Sequence, residues 1–95
     1  MTPPVFAAAT PAVDQLDETS EFLNEVYNEI GHAREHYPGA KHMLAALVEE
    51  VGELAAALLE GQSYESIRAE AVQVAAMACR VAVDGDEDFG TPPQN

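Results

Sequence analysis

The sequence predicts an all-α fold, an antiparallel bundle of three main helices. Three observations predict it. Apolar residues recur with helical period from about residue 17 to residue 85. No stretch alternates apolar and polar residues as a strand does. Proline, glycine and serine interrupt the period at few points, and the connections they mark are short. A chain of 95 residues holds one domain. It divides into an Ala/Pro-rich arm at 1–16, a helical domain at 17–85 and an acidic tail at 86–95.

The arm, MTPPVFAAATPAVDQL, carries three prolines, four alanines and little periodicity, which suggests a flexible segment. Helix one is expected from Ser20 to His36. Ser20 suits an N-cap, and Glu21 suits the positive end of the helix. Phe22, Val26, Ile30, Ala33 and Tyr37, with Leu23 beside them, form one apolar stripe. Pro38-Gly39 ends it. Helix two is expected from Lys41 to Glu60, with Met43, Leu47, Leu54 and Leu58 as its core stripe and Gly61 as its stop. Helix three is expected from the N-cap Ser63 to about Asp84, with Gly85 as its stop. The Gly61-Gln62 connector permits only an antiparallel helical hairpin.

Such a bundle has a thin core, and a scaffold below ~70–80 residues needs a disulfide, a metal or a partner chain. The single Cys79 excludes a disulfide framework and a zinc ribbon, and it fits a reducing, cytoplasmic setting. Helix three is apolar on two nearly opposite sides, with Ile67, Val74 and Val81 on one and Val72, Ala76, Cys79 and Val83 on the other. Helix one covers one side on this reading, or a second copy of the chain does, or both. The expected bundle is therefore completed by homo-oligomerisation, as a homodimer or a dimer of dimers.

Charge narrows the function. Four Lys plus Arg stand against 17 Asp plus Glu, a formal net charge of -13. No basic stripe for nucleic acid can be assembled from four scattered cations, nor a polybasic membrane anchor. No run approaches the ~20 apolar residues of a membrane span. The N-terminus lacks the positive region of a signal peptide. An anionic ligand requires metal ions to offset the protein's own field.

The carboxylates of helices two and three meet that requirement. Glu50 and Glu53, spaced i, i+3, point about 60° apart with Ala46 and Ala57 around them. Like charges at this spacing destabilise a helix by a few tenths of a kcal/mol, and a hard divalent cation offsets that. Helix three carries Glu70 and Gln73 at the same spacing. At ~1.5 Å per residue, Glu53 and Glu70 both lie roughly 11 Å from the turn, and Glu50 and Gln73 roughly 16 Å. An antiparallel hairpin would set Glu53 against Glu70 and Glu50 against Gln73, an oxygen-rich cleft suited to Mg²⁺. Arg80 shares their sector, where it would reach a phosphate. The alternative is that these are solvated faces of acidic helices. His32-Ala33-Arg34-Glu35-His36 matches a zinc-protease HxxEH pattern, but the helix stops at Pro38 and no third ligand follows.

The segment from Lys41 to Leu58, KHMLAALVEEVGELAAAL, resembles the all-α nucleoside triphosphate pyrophosphohydrolase superfamily in its MazG-like branch. That family's pattern is ExxE, a spacer, then ExxD. Glu50-Val51-Gly52-Glu53 fits the first half, and Glu70-Ala71-Val72-Gln73 fits the second except at its last position. The resemblance implies an oligomeric helical bundle and Mg²⁺-dependent cleavage of a nucleoside triphosphate to monophosphate and pyrophosphate, with Mn²⁺ able to replace Mg²⁺. It implies Glu50, Glu53 and Glu70 as catalytic metal ligands and Gln73 as a neutral fourth ligand, with activity weakened by its missing charge. Arg80, Lys41 and His36 are the candidate substrate-binding residues. The other readings are a non-catalytic nucleotide-binding relative and an acidic helical oligomerisation or antitoxin-like module.

Overall fold

A computed structural model describes residues 13–90, and side chains from residue 17 onward. Three helices follow in order: α1 at Val13–His36, α2 at Met43–Leu59 and α3 at Tyr64–Asp84. A single 3₁₀ turn, Glu87–Phe89, closes the described chain. Among the described residues there is no strand, and no helix is long and apolar enough to cross a membrane.

α1 starts earlier than Ser20, which lies inside the helix and is exposed. Nothing between Pro11 and Pro38 obliges the chain to break, and Asp17 and Glu18 favour the positive end of a longer helix. Residues 1–12 of the expected arm lie outside the described residues; 13–16 are helical. The stop at His36 is as the proline requires, and Arg34 and His36 sit in the last turn, where positive charge is favoured.

The hairpin turn follows local chemistry. Gly61 adopts φ 65°, the left-handed conformation glycine tolerates best. Its N–H donates to the Leu58 carbonyl at 3.2 Å, and that of Gln62 donates to Ala57 at 3.0 Å, the paired bonds of a Schellman stop. Ser63 then caps α3, its Oγ accepting from the Ser66 N–H at 3.1 Å. Gly85, φ 76°, ends α3 as expected.

The start of α2 is not locally capped. Lys41 and His42 form a turn before Met43, His42 is left-handed at φ 58°, and its side chain caps nothing. The cap comes from the far end of the chain. Asp86 Oδ2 accepts the Leu44 N–H at 2.8 Å, and its Oδ1 accepts that of Asp88 at 2.9 Å. These backbone bonds hold the Asp86 carboxyl below its ordinary range. Glu87 strengthens the junction: its N–H donates to Ala40 O at 2.7 Å, and its Oε2 accepts the Ala40 N–H at 2.9 Å. His42 Nδ1 meets Asp88 Oδ2 at 2.8 Å. The first part of the expected acidic tail is therefore docked structure; residues 91–95 lie outside the described residues.

α3 lies in the middle of a layer, with α1 and α2 each packed mainly against it. Ion pairs Arg68–Glu25 near one end and Arg34–Asp84 near the other show that α1 runs alongside α3 in the same direction. Val26 and Ile30 of α1 meet Val72 and Ala76 of α3, with Phe22, Ala75 and Cys79 around them. Each of the larger side chains contributes about 1.5–3 kcal/mol when fully buried. One apolar side of α3 is thus covered by α1. Ile67, Val74 and Val81, on the side toward α2, are half-buried.

α2 is rotated relative to the expected leucine stripe. Met43 is buried, Leu47 and Leu54 are half-buried, and Leu58 is exposed. The residue seated most deeply is Ala57, 1% exposed. Small residues let the two backbones approach closely, so the sector carrying Ala46, Glu50 and Ala57 turns inward. Tyr37 and Leu23, expected in the stripe of α1, are exposed.

Candidate metal centre

The inward rotation of α2 brings three carboxylates together. Glu50 and Glu53 lie one turn apart on α2, and Glu70 faces them from α3. One carboxylate oxygen from each lies within 4.8 Å of the others. Glu50 and Glu70 are half-buried and Glu53 is exposed.

The trio is electrostatically uncompensated. Ion pairs among the described residues join Arg34 to Asp84, His42 to Asp88, Arg68 to Glu25 and Arg80 to Asp84; none reaches it. Oε2 of Glu50 and Oε2 of Glu70 are both shielded from solvent and accept no hydrogen bond. Buried carboxylate oxygens without partners are costly and call for an explanation. Desolvation raises the pKa of Glu50, and Glu53 and Glu70 push it further in the same direction. Desolvation also raises Glu70, with Glu53 adding to it.

A hard divalent cation fits this donor set. Mg²⁺ takes oxygen ligands at ~2.0–2.1 Å, so oxygens on opposite sides of it stand roughly 4.1 Å apart. The three oxygens, which lie within 4.8 Å of one another, would have to draw closer to share one ion. Mn²⁺ accepts the same ligands.

Beside the trio lies a cleft of about 790 Å³ between α1 and α2. Glu50, Gln73, Met77 and Arg80 line it together with Glu29 and His32 of α1 and Tyr37 just beyond it, and Lys41 and His42 also line it. Gln73 therefore shares a cleft with Glu50, as the register of the hairpin predicts, and it brings an amide rather than a charge.

Arg80 occupies a different situation from the one expected. It is 3% exposed. Its guanidinium donates to the Tyr37 carbonyl at 3.1 Å, to the Gly39 carbonyl at 3.0 Å and to Asp84 Oδ2 at 3.3 Å. The carbonyls belong to the α1–α2 loop, so Arg80 fastens the wall of the cleft. Arg34 donates two hydrogen bonds to the same Asp84, at 3.1 and 2.9 Å, and is the largest cause of that carboxyl's lowered pKa. His36 is not among the residues lining the cleft. Its ring stacks on His32 at 4.1 Å between centroids, and its Nδ1 donates to the His32 carbonyl at 2.9 Å. Lys41 remains as a cation lining the cleft.

Two cleft residues escaped the sequence reading. Glu29 and His32 lie one turn apart on the polar side of α1, a signal visible only once α1 is known to flank α3 opposite α2. No protein-family model matches the chain, and no curated protein or solved structure matches it significantly.

Proposed function

We propose that the protein is a Mg²⁺-dependent nucleoside triphosphate pyrophosphohydrolase of the MazG-like kind, acting as a homodimer or a dimer of dimers. One observation carries the reading: three carboxylates from two helices converge within 4.8 Å, two with shielded, unpartnered oxygens. The resemblance of the α2 and α3 motifs, ExxE then Glu70 to Gln73, supports it. Glu50, Glu53 and Glu70 would hold the cation, with the Gln73 amide as a neutral donor nearby. Bound there, Mg²⁺ would supply neutralisation of the polyphosphate charge and polarisation of the attacking water.

The chain's own groups account for the rest. A cleft of about 790 Å³ is within the ~300–1,000 Å³ of small-molecule sites. Tyr37, Met77 and Ala33 give it apolar surface for a base, and Lys41 offers a point charge. Water attacks the α phosphorus, the α–β bridging bond breaks, and its electron pair leaves with pyrophosphate. The water proton passes to a carboxylate oxygen of the site that the cation leaves free.

Pyrophosphate release from a panel of ribo- and deoxynucleoside triphosphates with Mg²⁺ tests this directly. No release from any member, beside measurable binding of a non-hydrolysable nucleotide, would favour the non-catalytic reading. Gln73 is the observation favouring that second reading, because it leaves the set one negative charge short. Absence of both Mg²⁺ and nucleotide binding in calorimetry would leave the acidic helical module.

A further inference from the structure

The chain has three histidines, and two of them form a pair that the hydrolysis described above leaves unused. His32 and His36 stand one turn apart on α1, and their rings stack with centroids 4.1 Å apart. Spacing of i, i+4 sets both imidazoles on one side of a helix, the arrangement with which a helical histidine pair grips a metal ion. The second ring is already oriented as a ligand. Its Nδ1 lies 2.9 Å from the His32 carbonyl oxygen, which can only accept, so in the neutral ring Nδ1 carries the proton and Nε2 presents its lone pair. Metal-binding histidines are held in this manner, with the other ring nitrogen donating to a carbonyl or a carboxylate. The surrounding charge suits a cation. At about 100° per residue, Glu25, Glu29, His32 and His36 fall within a sector of about 60°, and Arg34 lies nearly opposite. No ion pair among the described residues involves Glu29, His32 or His36. His36 also ends α1, at the negative end of the helix dipole.

We propose that His32 and His36 together bind one borderline transition cation, with Zn²⁺ as the reference ion, at a site separate from the carboxylate trio. The site does not depend on the hydrolase reading. Imidazole nitrogen suits Zn²⁺, Ni²⁺ and Cu²⁺, whereas the oxygens of Glu50, Glu53 and Glu70 suit Mg²⁺ and Mn²⁺, so the chain sorts two classes of ion by donor chemistry. Zn–N bonds of ~2.0–2.1 Å around a tetrahedral ion set two nitrogens roughly 3.3 Å apart, and rings stacked at 4.1 Å are near that spacing. Among the described residues only the trio brings three His, Cys, Asp or Glu donors together. The histidine pair therefore supplies two ligands and leaves the remaining positions to water or to a ligand group, as an open site does. His32 lines the cleft from α1, while Glu50 lines it from α2. An ion on the pair places positive charge on the wall that otherwise offers Glu29, and it gives an anionic group entering the cleft a partner besides Lys41.

Nuclear magnetic resonance of the three imidazole rings in the full wild-type chain, near neutral pH with excess Mg²⁺ and increasing Zn²⁺, tests this. The His32 and His36 signals should shift together and saturate at one equivalent of Zn²⁺, with His42, which is held by Asp88, as the internal control. Calorimetry on variants supplies the second reading. Both histidines are exposed, so His36→Ala should keep the helical circular dichroism. Its Zn²⁺ affinity should fall by at least the ~10–100-fold that loss of an outer partner costs a metal site. Glu50→Gln should keep the Zn²⁺ affinity and lose affinity for Mg²⁺. No Zn²⁺ response, a response of one ring of the pair alone or of His42 in its place, or Zn²⁺ binding that persists in His36→Ala or disappears in Glu50→Gln would each overturn the proposal. The two readings fail separately. A wild type that binds Zn²⁺ on the pair and cleaves no nucleotide leaves this site standing and removes the hydrolase, whereas one that cleaves nucleotide and ignores Zn²⁺ does the reverse.

Discussion

Neutralising one member of the carboxylate trio should stabilise the metal-free protein and weaken its response to Mg²⁺. The perturbation is Glu50→Gln, which keeps shape and removes charge. Two unit charges 4.8 Å apart repel by about 0.9 kcal/mol at the dielectric of water and about 3.5 kcal/mol at an effective value near 20. Glu50 faces both Glu53 and Glu70, so its neutralisation relieves two such pairs. Taking the water-like limit, because Glu53 is exposed and its partners only half-buried, and allowing for repulsion retained in the unfolded chain gives a gain of about 1–2 kcal/mol. In a domain of this size that raises Tm by roughly 5–10 °C. Magnesium should stabilise both proteins, the variant less. At 100 times Kd a ligand stabilises by about 2.7 kcal/mol, and a tenfold loss of affinity halves that to about 1.4 kcal/mol. Thermal melts followed by circular dichroism, at pH 7 and fixed protein concentration, with EDTA or with Mg²⁺, measure both effects. Glu49→Gln, at an exposed neighbour, serves as the control and should move either value far less. A metal-free Tm for Glu50→Gln equal to or below wild type, with an undiminished Mg²⁺ response, would refute the argument that the trio is strained and awaits a cation.

Four further outcomes are expected. Gln73→Asp should raise Mg²⁺ affinity about tenfold, since each tenfold step needs only ~1.4 kcal/mol, and should increase pyrophosphate release; calorimetry and turnover check it. Metal-free stability should fall as pH rises from the ordinary carboxylate value of 4.5 through the raised pKa values of Glu50 and Glu70, because the folded form holds those protons more tightly. The lowered Asp84 has the reverse sign, withdrawing stability as pH drops below 3.8, so melts in EDTA should peak at mildly acidic pH and the Mg²⁺ increment should grow toward neutrality. Arg80→Met strips donors from two loop carbonyls and should cost about 3 kcal/mol in urea unfolding, and a loss under ~1 kcal/mol would contradict its role as the anchor of the cleft wall. Gly61→Ala forces a side chain into the left-handed region and should lower Tm by about 5 °C without changing Mg²⁺ affinity.

Much of the fold was legible because its signals are local. Gly61, Ser63 and Gly85 mark helix ends through their own backbone and hydroxyl chemistry, and all three act where the sequence places them. The approach of Glu50, Glu53 and Glu70 was legible too, since i, i+3 spacing and a two-residue turn fix their heights on the hairpin. What escaped depends on distant partners. Nothing near Met43 announces that Asp86 will cap α2, and nothing near Arg80 announces that the carbonyls of Tyr37 and Gly39 will claim it. The rotation of α2 was hidden for a different reason. A leucine stripe reads as core whichever surface covers it, whereas close packing of α2 on α3 is set by the small Ala57.

The contacts that the 3₁₀ turn makes with residues 40–44 have a mechanical consequence for the carboxylates. The α2–α3 hairpin is joined covalently at Gly61-Gln62 and again at its open end, where the Asp86 and Glu87 carboxylates accept from the Leu44 and Ala40 N–H groups and the Glu87 N–H donates to the Ala40 carbonyl. Two rods bound at one end can scissor apart, and two bound at both ends cannot. The acidic side chains lie between those two ties, so the spacing of the helices that carry them is imposed by the frame.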